Sequence, residues 1–148
     1  MMTQSYGPEA RGGACRSDVI MSDEPIDYPK VAHVDCLVAL SLDAYLTFFR
    51  AVKPRGIVLF DKDLVDIPEW AKRADLSYYG VLVIEAAREI GNLLTANIVM
   101  LGVLQVVSGM FTLTSLEKSI ADRFPKYKDL NLLAVKKGVE LAAAVIGQ

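Results

Sequence analysis

Two short apolar runs, Val34-Asp35-Cys36-Leu37-Val38-Ala39-Leu40 and Ile57-Val58-Leu59-Phe60, constrain this chain more than any other feature. Each is nearly unbroken rather than alternating, as expected for strands covered by helices on both faces. Between them Ser41 offers an N-cap, and Leu42, Tyr45, Leu46 and Phe49 recur at helical spacing over 42–50. Lys53-Pro54-Arg55-Gly56 reads as a turn into the second strand, which ends at Asp61. Strand, helix, strand in this order predicts an α/β domain with a mainly parallel sheet.

The rest of the chain extends that pattern. Ala14 to Met21 reads as a strand after a loop-like stretch from Thr3 to Gly13, and Leu76 to Tyr79 as another short strand. A helix is expected from Leu82 to Ile90 with a Gly91-Asn92 stop. The last third is helical: Thr95 as cap for Ala96 to Ser108, then a Thr114-Ser115-Leu116-Glu117 capping box with Leu116, Ile120 and Phe124 on one face. Pro125 stops that helix, and Asp129 caps a final one with Leu130, Leu133, Leu141 and Val145 on one side and Lys136 and Lys137 opposite. The expected architecture is a single three-layer Rossmann-like α/β domain with a helical C-terminal third.

Composition narrows the function. The 148 residues carry 16 Lys plus Arg against 18 Asp plus Glu, a net charge of −2, so the basic stripe of a nucleic-acid binder is missing. The apolar fraction of 53% exceeds what one small core needs, and part of that surface is expected to meet a partner. The richest segment, Ile98 to Met110, is interrupted by Gln105 and Ser108 and falls short of the ~20 apolar residues of a spanning helix. Without an apolar leader among the first residues, the cytoplasm is the expected compartment. Cys15 and Cys36 form no C-x-x-C pair and His33 is the single histidine, so no metal site is expected.

The stretch Tyr6-Gly7-Pro8-Glu9-Ala10-Arg11-Gly12-Gly13 brackets an acid and a base with glycines. Gly12 and Gly13 let main-chain N–H groups approach an anion, and Arg11 brings a planar fork for a phosphate or carboxylate. The same residues also make an ordinary surface loop with a Glu9–Arg11 charge pair. Ser41 and Asp61 end two of the expected strands, where open sheets place ligands; helix capping and a surface turn are the plainer roles. Asn97 in an apolar helix must find hydrogen bonds, at the sheet ends or across an interface.

The segment Gln4 to Cys15 resembles the gamma subunit of 2-oxoacid:ferredoxin oxidoreductases, in the pyruvate/ketoisovalerate oxidoreductase family. Ile26-Asp27-Tyr28-Pro29-Lys30-Val31, Asp35 to Tyr45, Ala96 to Gly102 and Asp129-Leu130-Asn131-Leu132 resemble the family in the same order, and the combination points to the 2-oxoglutarate branch. Members ordinarily begin with a strand, a G-x-G-G-Q-G turn, a helix and a second strand. This chain lacks them, which implies an N-terminally truncated member with an uncovered strand edge and marginal stability alone.

The resemblance implies a subunit of an enzyme that oxidatively decarboxylates a 2-oxoacid with coenzyme A, giving acyl-CoA, CO2 and reduced ferredoxin. Its partners would be the alpha and beta subunits, with a delta subunit in some complexes, and ferredoxin through the complex. Thiamine diphosphate and iron–sulfur clusters would belong to those partners, with no cofactor held by this chain alone and no catalytic residue on it. Tyr6, Gly7, Glu9, Arg11, Gly12 and Gly13 would form a loop near coenzyme A, a cofactor or a subunit junction, and Ser41 and Asn97 would lie at an interface. Two other classes compete. A stand-alone α/β nucleotide-binding or regulatory domain needs its glycine fingerprint at a strand-to-helix turn, whereas Gly7 and Gly12-Gly13 precede a strand. A hydrolase has neither a G-x-S-x-G elbow nor more than one histidine.

Overall fold

The central strand, β4, shows most directly how this sequence folds. In the computed structural model, which describes residues 2–6 (backbone only), 15–28 and 30–147, three parallel strands run in the order β3 (Val34–Ala39), β4 (Val52–Asp61) and β5 (Ser77–Val81). Cys36 to Ala39 pair with Ile57 to Phe60, and Ile57 to Asp61 pair with Ser77 to Val81. Strand side chains alternate between faces, so Ile57 and Leu59 enter one core while Val58 and Phe60 enter another. The unbroken apolar run is thus a strand covered twice. β3 at the sheet edge is covered less well: Val38 and Leu40 are exposed, contrary to the expectation of helices on both its faces.

One face carries α1 (Leu42–Phe48), continued by a 3-10 turn over Phe49–Ala51; Tyr45 and Phe49 are buried against Ala39, Val58 and Val65. The other face carries α2 (Val83–Ile90), α3 (Ala96–Ser108), α4 (Leu113–Arg123) and α5 (Lys128–Ile146). Here α3 and α5 lie unusually close. A Cβ on Gly102 would run into the Val135 carbonyl oxygen, and one on Gly138 into that of Val99. The buried face of α5 is therefore Asn131, Ala134, Val135, Gly138 and Ala142, and Leu133, expected inside, is half exposed. Small residues won that face because backbone approach, not side-chain volume, fills the space. Lys137 pairs with Glu89 at 2.6 Å, tying α5 to α2.

Several local expectations shift. Lys53-Pro54-Arg55-Gly56 is a bulge within β4: two positions along β3, Val34 to Cys36, match five along β4, Val52 to Ile57. Arg55 adopts φ +64 there, and the site of a Gly56 Cβ lies 2.5 Å from Val52 Cγ1 and 2.8 Å from the Lys53 carbonyl oxygen, room for a hydrogen only. The stop at Gly91 holds, with φ +91 at the C-cap of α2. The cap of α4 is Thr112, whose hydroxyl accepts from Ser115 N–H at 3.1 Å, so Thr114 lies inside the helix and the expected box is not the cap. Thr95 donates to the Asn92 carbonyl instead of capping α3, and Asp129 sits in the first turn of α5 after a Tyr127 cap without a side-chain bond.

At the front, β1 (Met2–Tyr6) and β2 (Cys15–Val19) form an antiparallel two-stranded ribbon with Tyr6 opposite Cys15. The expected strand at Ala14 to Met21 thus exists, but outside the parallel sheet, and part of the expected loop is its partner. Arg16 links the ribbon to the sheet domain: its guanidinium lies 4.9 Å from the centre of the Phe48 ring, and Nη2 reaches the Val31 carbonyl at 3.4 Å. No helix among the described residues is long and apolar enough to cross a membrane.

Candidate functional site

The carboxyl edge of the parallel sheet is where such folds gather ligands, and Asp61 stands at its centre. The residue is fully buried. Its Oδ1 accepts from Asp63 N–H at 2.9 Å and its Oδ2 from Ile84 N–H at 3.0 Å, while its carbonyl accepts from Leu64 and Val65 N–H. α2 has no side-chain cap at Leu82, so the carboxylate crosses from β4 to fill that role, favourably placed at the positive end of the helix. Asp61 is therefore neither a surface turn nor an open ligand: it fastens the end of the central strand to the next helix. Ser41 caps α1 by accepting from Ala44 N–H at 3.2 Å, and its exposure leaves that edge open to a neighbour.

The amino edge holds the second concentration of polar groups. Arg73 donates through Nη1 to the carbonyls of Phe49 at 3.1 Å and Val52 at 2.7 Å, and through Nε and Nη2 to Asp75 at 3.0 and 2.5 Å. The Arg73 hydrogen bond holds the Asp75 carboxyl below its usual range. Beneath it, Tyr45 donates to the Ala71 carbonyl at 2.7 Å and lies 2.9 Å from the Tyr78 hydroxyl, which accepts from Arg73 N–H. Burial, then the Tyr78 hydrogen bond, pushes the Tyr45 phenol up, so it stays neutral. An open cleft of about 480 Å3 lies at this edge, lined by His33, Arg50, Val52, Lys53, Pro54 and Arg73.

Neither edge assembles a nucleophile with its base. His33 precedes β3 and Ser41 follows it, so at ~3.3 Å per residue they stand about 25 Å apart, too far for a triad. The Cys36 thiol is pushed up to about 11, first by burial and then by Asp35, and is protonated at neutral pH. Among the described residues no group of three His, Cys, Asp or Glu side chains is placed to hold a metal ion.

A sequence profile of the pyruvate ferredoxin/flavodoxin oxidoreductase family matches residues 1–141. The chain belongs to this family. It is 46% identical over 144 residues to a 2-oxoglutarate synthase subunit, KorC, of Methanocaldococcus jannaschii, covering 96% of this chain and 76% of that one. Among solved structures, the gamma subunit of a keto/oxoacid ferredoxin oxidoreductase from Geobacter sulfurreducens superposes with a TM-score of 0.81 at 34% identity, covering 97% of this chain and 80% of that one. The same fold, at 24% identity and a TM-score of 0.81, occupies 25% of a longer chain of the 2-oxoglutarate:ferredoxin oxidoreductase from Magnetococcus marinus, again over 97% of this one.

Among the described residues, the sequence-derived positions Tyr6, Ser41 and Asn97 lie on separate elements. Tyr6 ends β1; Gly7, Glu9, Arg11, Gly12 and Gly13 lie outside the described residues. Ser41 is at the carboxyl edge. Asn97 is in the first turn of α3 and exposed; its Oδ1 accepts from Ile98 N–H at 2.9 Å, so it needs no buried partner. The network missed by sequence reasoning, Arg73 with Asp75, Tyr45 and Tyr78, had a faint signal in Arg73-Ala74-Asp75, spaced for a local ion pair before a strand. Nothing in the sequence pointed to Tyr45 as a hydrogen-bonding residue, because its helical spacing reads as apolar packing.

Proposed function

We propose that this chain is the gamma subunit of a cytoplasmic 2-oxoglutarate:ferredoxin oxidoreductase, which converts a 2-oxoacid and coenzyme A to acyl-CoA and CO2 while reducing ferredoxin. The observation that carries the reading is the 46% identity to a 2-oxoglutarate synthase subunit across 96% of the chain. The polar groups at the sheet edges agree with a supporting role: Asp61, Ser41 and Arg73 are committed to the chain's own backbone. Alpha and beta subunits, with a delta subunit in some complexes, would supply the thiamine diphosphate and iron–sulfur sites. The described residues here do not fit a cluster, and no step is assigned to this chain through one.

In this reading the segment between the paired residues Tyr6 and Cys15 faces the catalytic subunits and helps form the surface near coenzyme A. Arg11 would offer a bidentate cation, Gly12 and Gly13 would offer approachable N–H donors, and Glu9 could orient Arg11 by a charge-assisted bond. Ser41 and Asn97 are exposed contacts for neighbouring subunits. The test is to co-express the full chain with its neighbouring alpha and beta subunits, purify the complex and assay 2-oxoglutarate-dependent, coenzyme A-dependent reduction of ferredoxin. Arg11→Ala should raise the KM for coenzyme A by about tenfold per ~1.4 kcal/mol lost, or release the subunit while the remaining enzyme keeps normal kinetics. Normal assembly with normal coenzyme A kinetics would return this loop to the plain surface.

A further inference from the structure

We propose that the cleft at the amino edge of the sheet is a second binding site, for an oxyanion of the carboxylate or phosphate class carried on an organic body, held by Arg50 and His33 with Lys53 at the rim. The chain has a net charge of −2, yet Arg50, Lys53, Arg73 and His33 line this one cleft. They are not equivalent. Four of the five N–H donors of the Arg73 guanidinium are engaged, by Asp75 and by the carbonyls of Phe49 and Val52. Arg73 is therefore structural, committed to Asp75 and to the carbonyls of Phe49 and Val52.

Among the described residues that line the cleft, Arg50 is the cation without a carboxylate partner. Its guanidinium carbon lies 5.7 Å from the centre of the buried Phe49 ring, an attraction that orients the group while leaving N–H donors for a ligand. Among the described residues no carboxylate forms a salt bridge with it. Lys53 pairs with Asp35 at 2.8 Å, with both side chains open to water, and such a surface pair exchanges readily for another anion. Val52 and Pro54 give the cleft an apolar floor. A volume of about 480 Å3 is within the range of small-molecule sites and far larger than a bare phosphate needs, which favours an anion with an organic body. The site is at the opposite end of the strands from Asp61 and Ser41.

The experiment uses the full chain, alone or in its complex, titrated with inorganic phosphate, phenyl phosphate and benzoate and followed by calorimetry and by the His33 ring resonances. Phenyl phosphate is expected to bind more tightly than inorganic phosphate, with the His33 signals shifting, and benzoate shows whether the carboxylate class is also accepted. Arg50→Ala should weaken binding about tenfold, and Arg50→Lys by less, since it keeps the charge and loses the fork. Arg50 is exposed, and an unchanged circular dichroism spectrum verifies that each variant folds. Absence of binding by every probe, or equal affinity in Arg50→Ala, overturns the proposal. So does failure of all probes combined with weaker subunit assembly in Arg50→Ala, which would make the cleft a protein-docking patch.

Discussion

The two faces of the sheet are built by different physics. On the α2, α3 and α5 side the core is apolar and held by close backbone approach, Gly102 against Val135 and Gly138 against Val99. On the α1 side one short helix covers the sheet, and a polar chain, Ala71 to Tyr45 to Tyr78 to Arg73, closes what the thin apolar layer cannot. The first face should be most sensitive to an added methyl group at the helix–helix contact, and the second to loss of a hydroxyl.

The sharpest way to break this contrast is at the glycines. Gly138→Ala should cost ~3 kcal/mol in a denaturant melt, because α3 and α5 must separate, even though alanine favours a helix by about 1 kcal/mol. Gly102→Ala meets the same contact from the other side, the two Cα positions lying 3.0–3.1 Å from the opposite added Cβ. The double variant should therefore cost less than the two single effects added together. Additive costs would mean that the two glycines do not share one contact.

Asp61 comes next, because it joins the central strand to the apolar face. Asp61→Ala leaves the Asp63 and Ile84 N–H groups without their acceptor, a loss of roughly 2–3 kcal/mol. Asp61→Asn keeps one carbonyl acceptor and should retain part of it. A melt of Asp61→Ala indistinguishable from that of the parent chain would remove the fastening role.

On the thinner face, Tyr45→Phe keeps the ring stacked 5.2 Å from Phe49 and deletes only the hydroxyl. It should cost about 1–2 kcal/mol, and Tyr78→Phe, which breaks the same chain one bond later, should add little in the double variant. Independent, additive losses would show that the hydroxyls do not act as a network.

What could be read beforehand follows the same division. The parallel sheet, the helical last third and the Gly91 stop were legible because apolar periodicity and glycine punctuation carry them. The family resemblance was legible through short motifs, and the family match over residues 1–141 bears it out. The cap of α4 at Thr112 was misplaced by two residues, since neighbouring Thr and Ser residues compete on equal local terms. The burial of Asp61 was not legible: its partner, Ile84 N–H, lies 23 residues further on. The face of α5 was misread because Leu133 looks more core-like than Gly138, whereas the backbone distance chose the glycine.

The smallest effect distinguishes the charged end of the polar face from its neutral middle. Arg73 lowers the Asp75 pKa by hydrogen bonding, so the folded chain holds the proton less tightly than the unfolded one. The pair therefore adds stability above the unfolded carboxyl value of about 4, and loses it as pH falls through the lower folded value. The pair is largely open to water, so the gap in melting temperature between the parent chain and Asp75→Asn should be small. It should stay constant from pH 7 to about 5 and close as pH drops below about 4, because the protonated parent then resembles the variant. Tyr45→Phe titrates nothing in this range, so its gap from the parent should stay level throughout. A gap for Asp75→Asn that is equally wide in acid would mean that the carboxylate's charge contributes nothing, and that Arg73 holds the amino edge through the Phe49 and Val52 carbonyls alone.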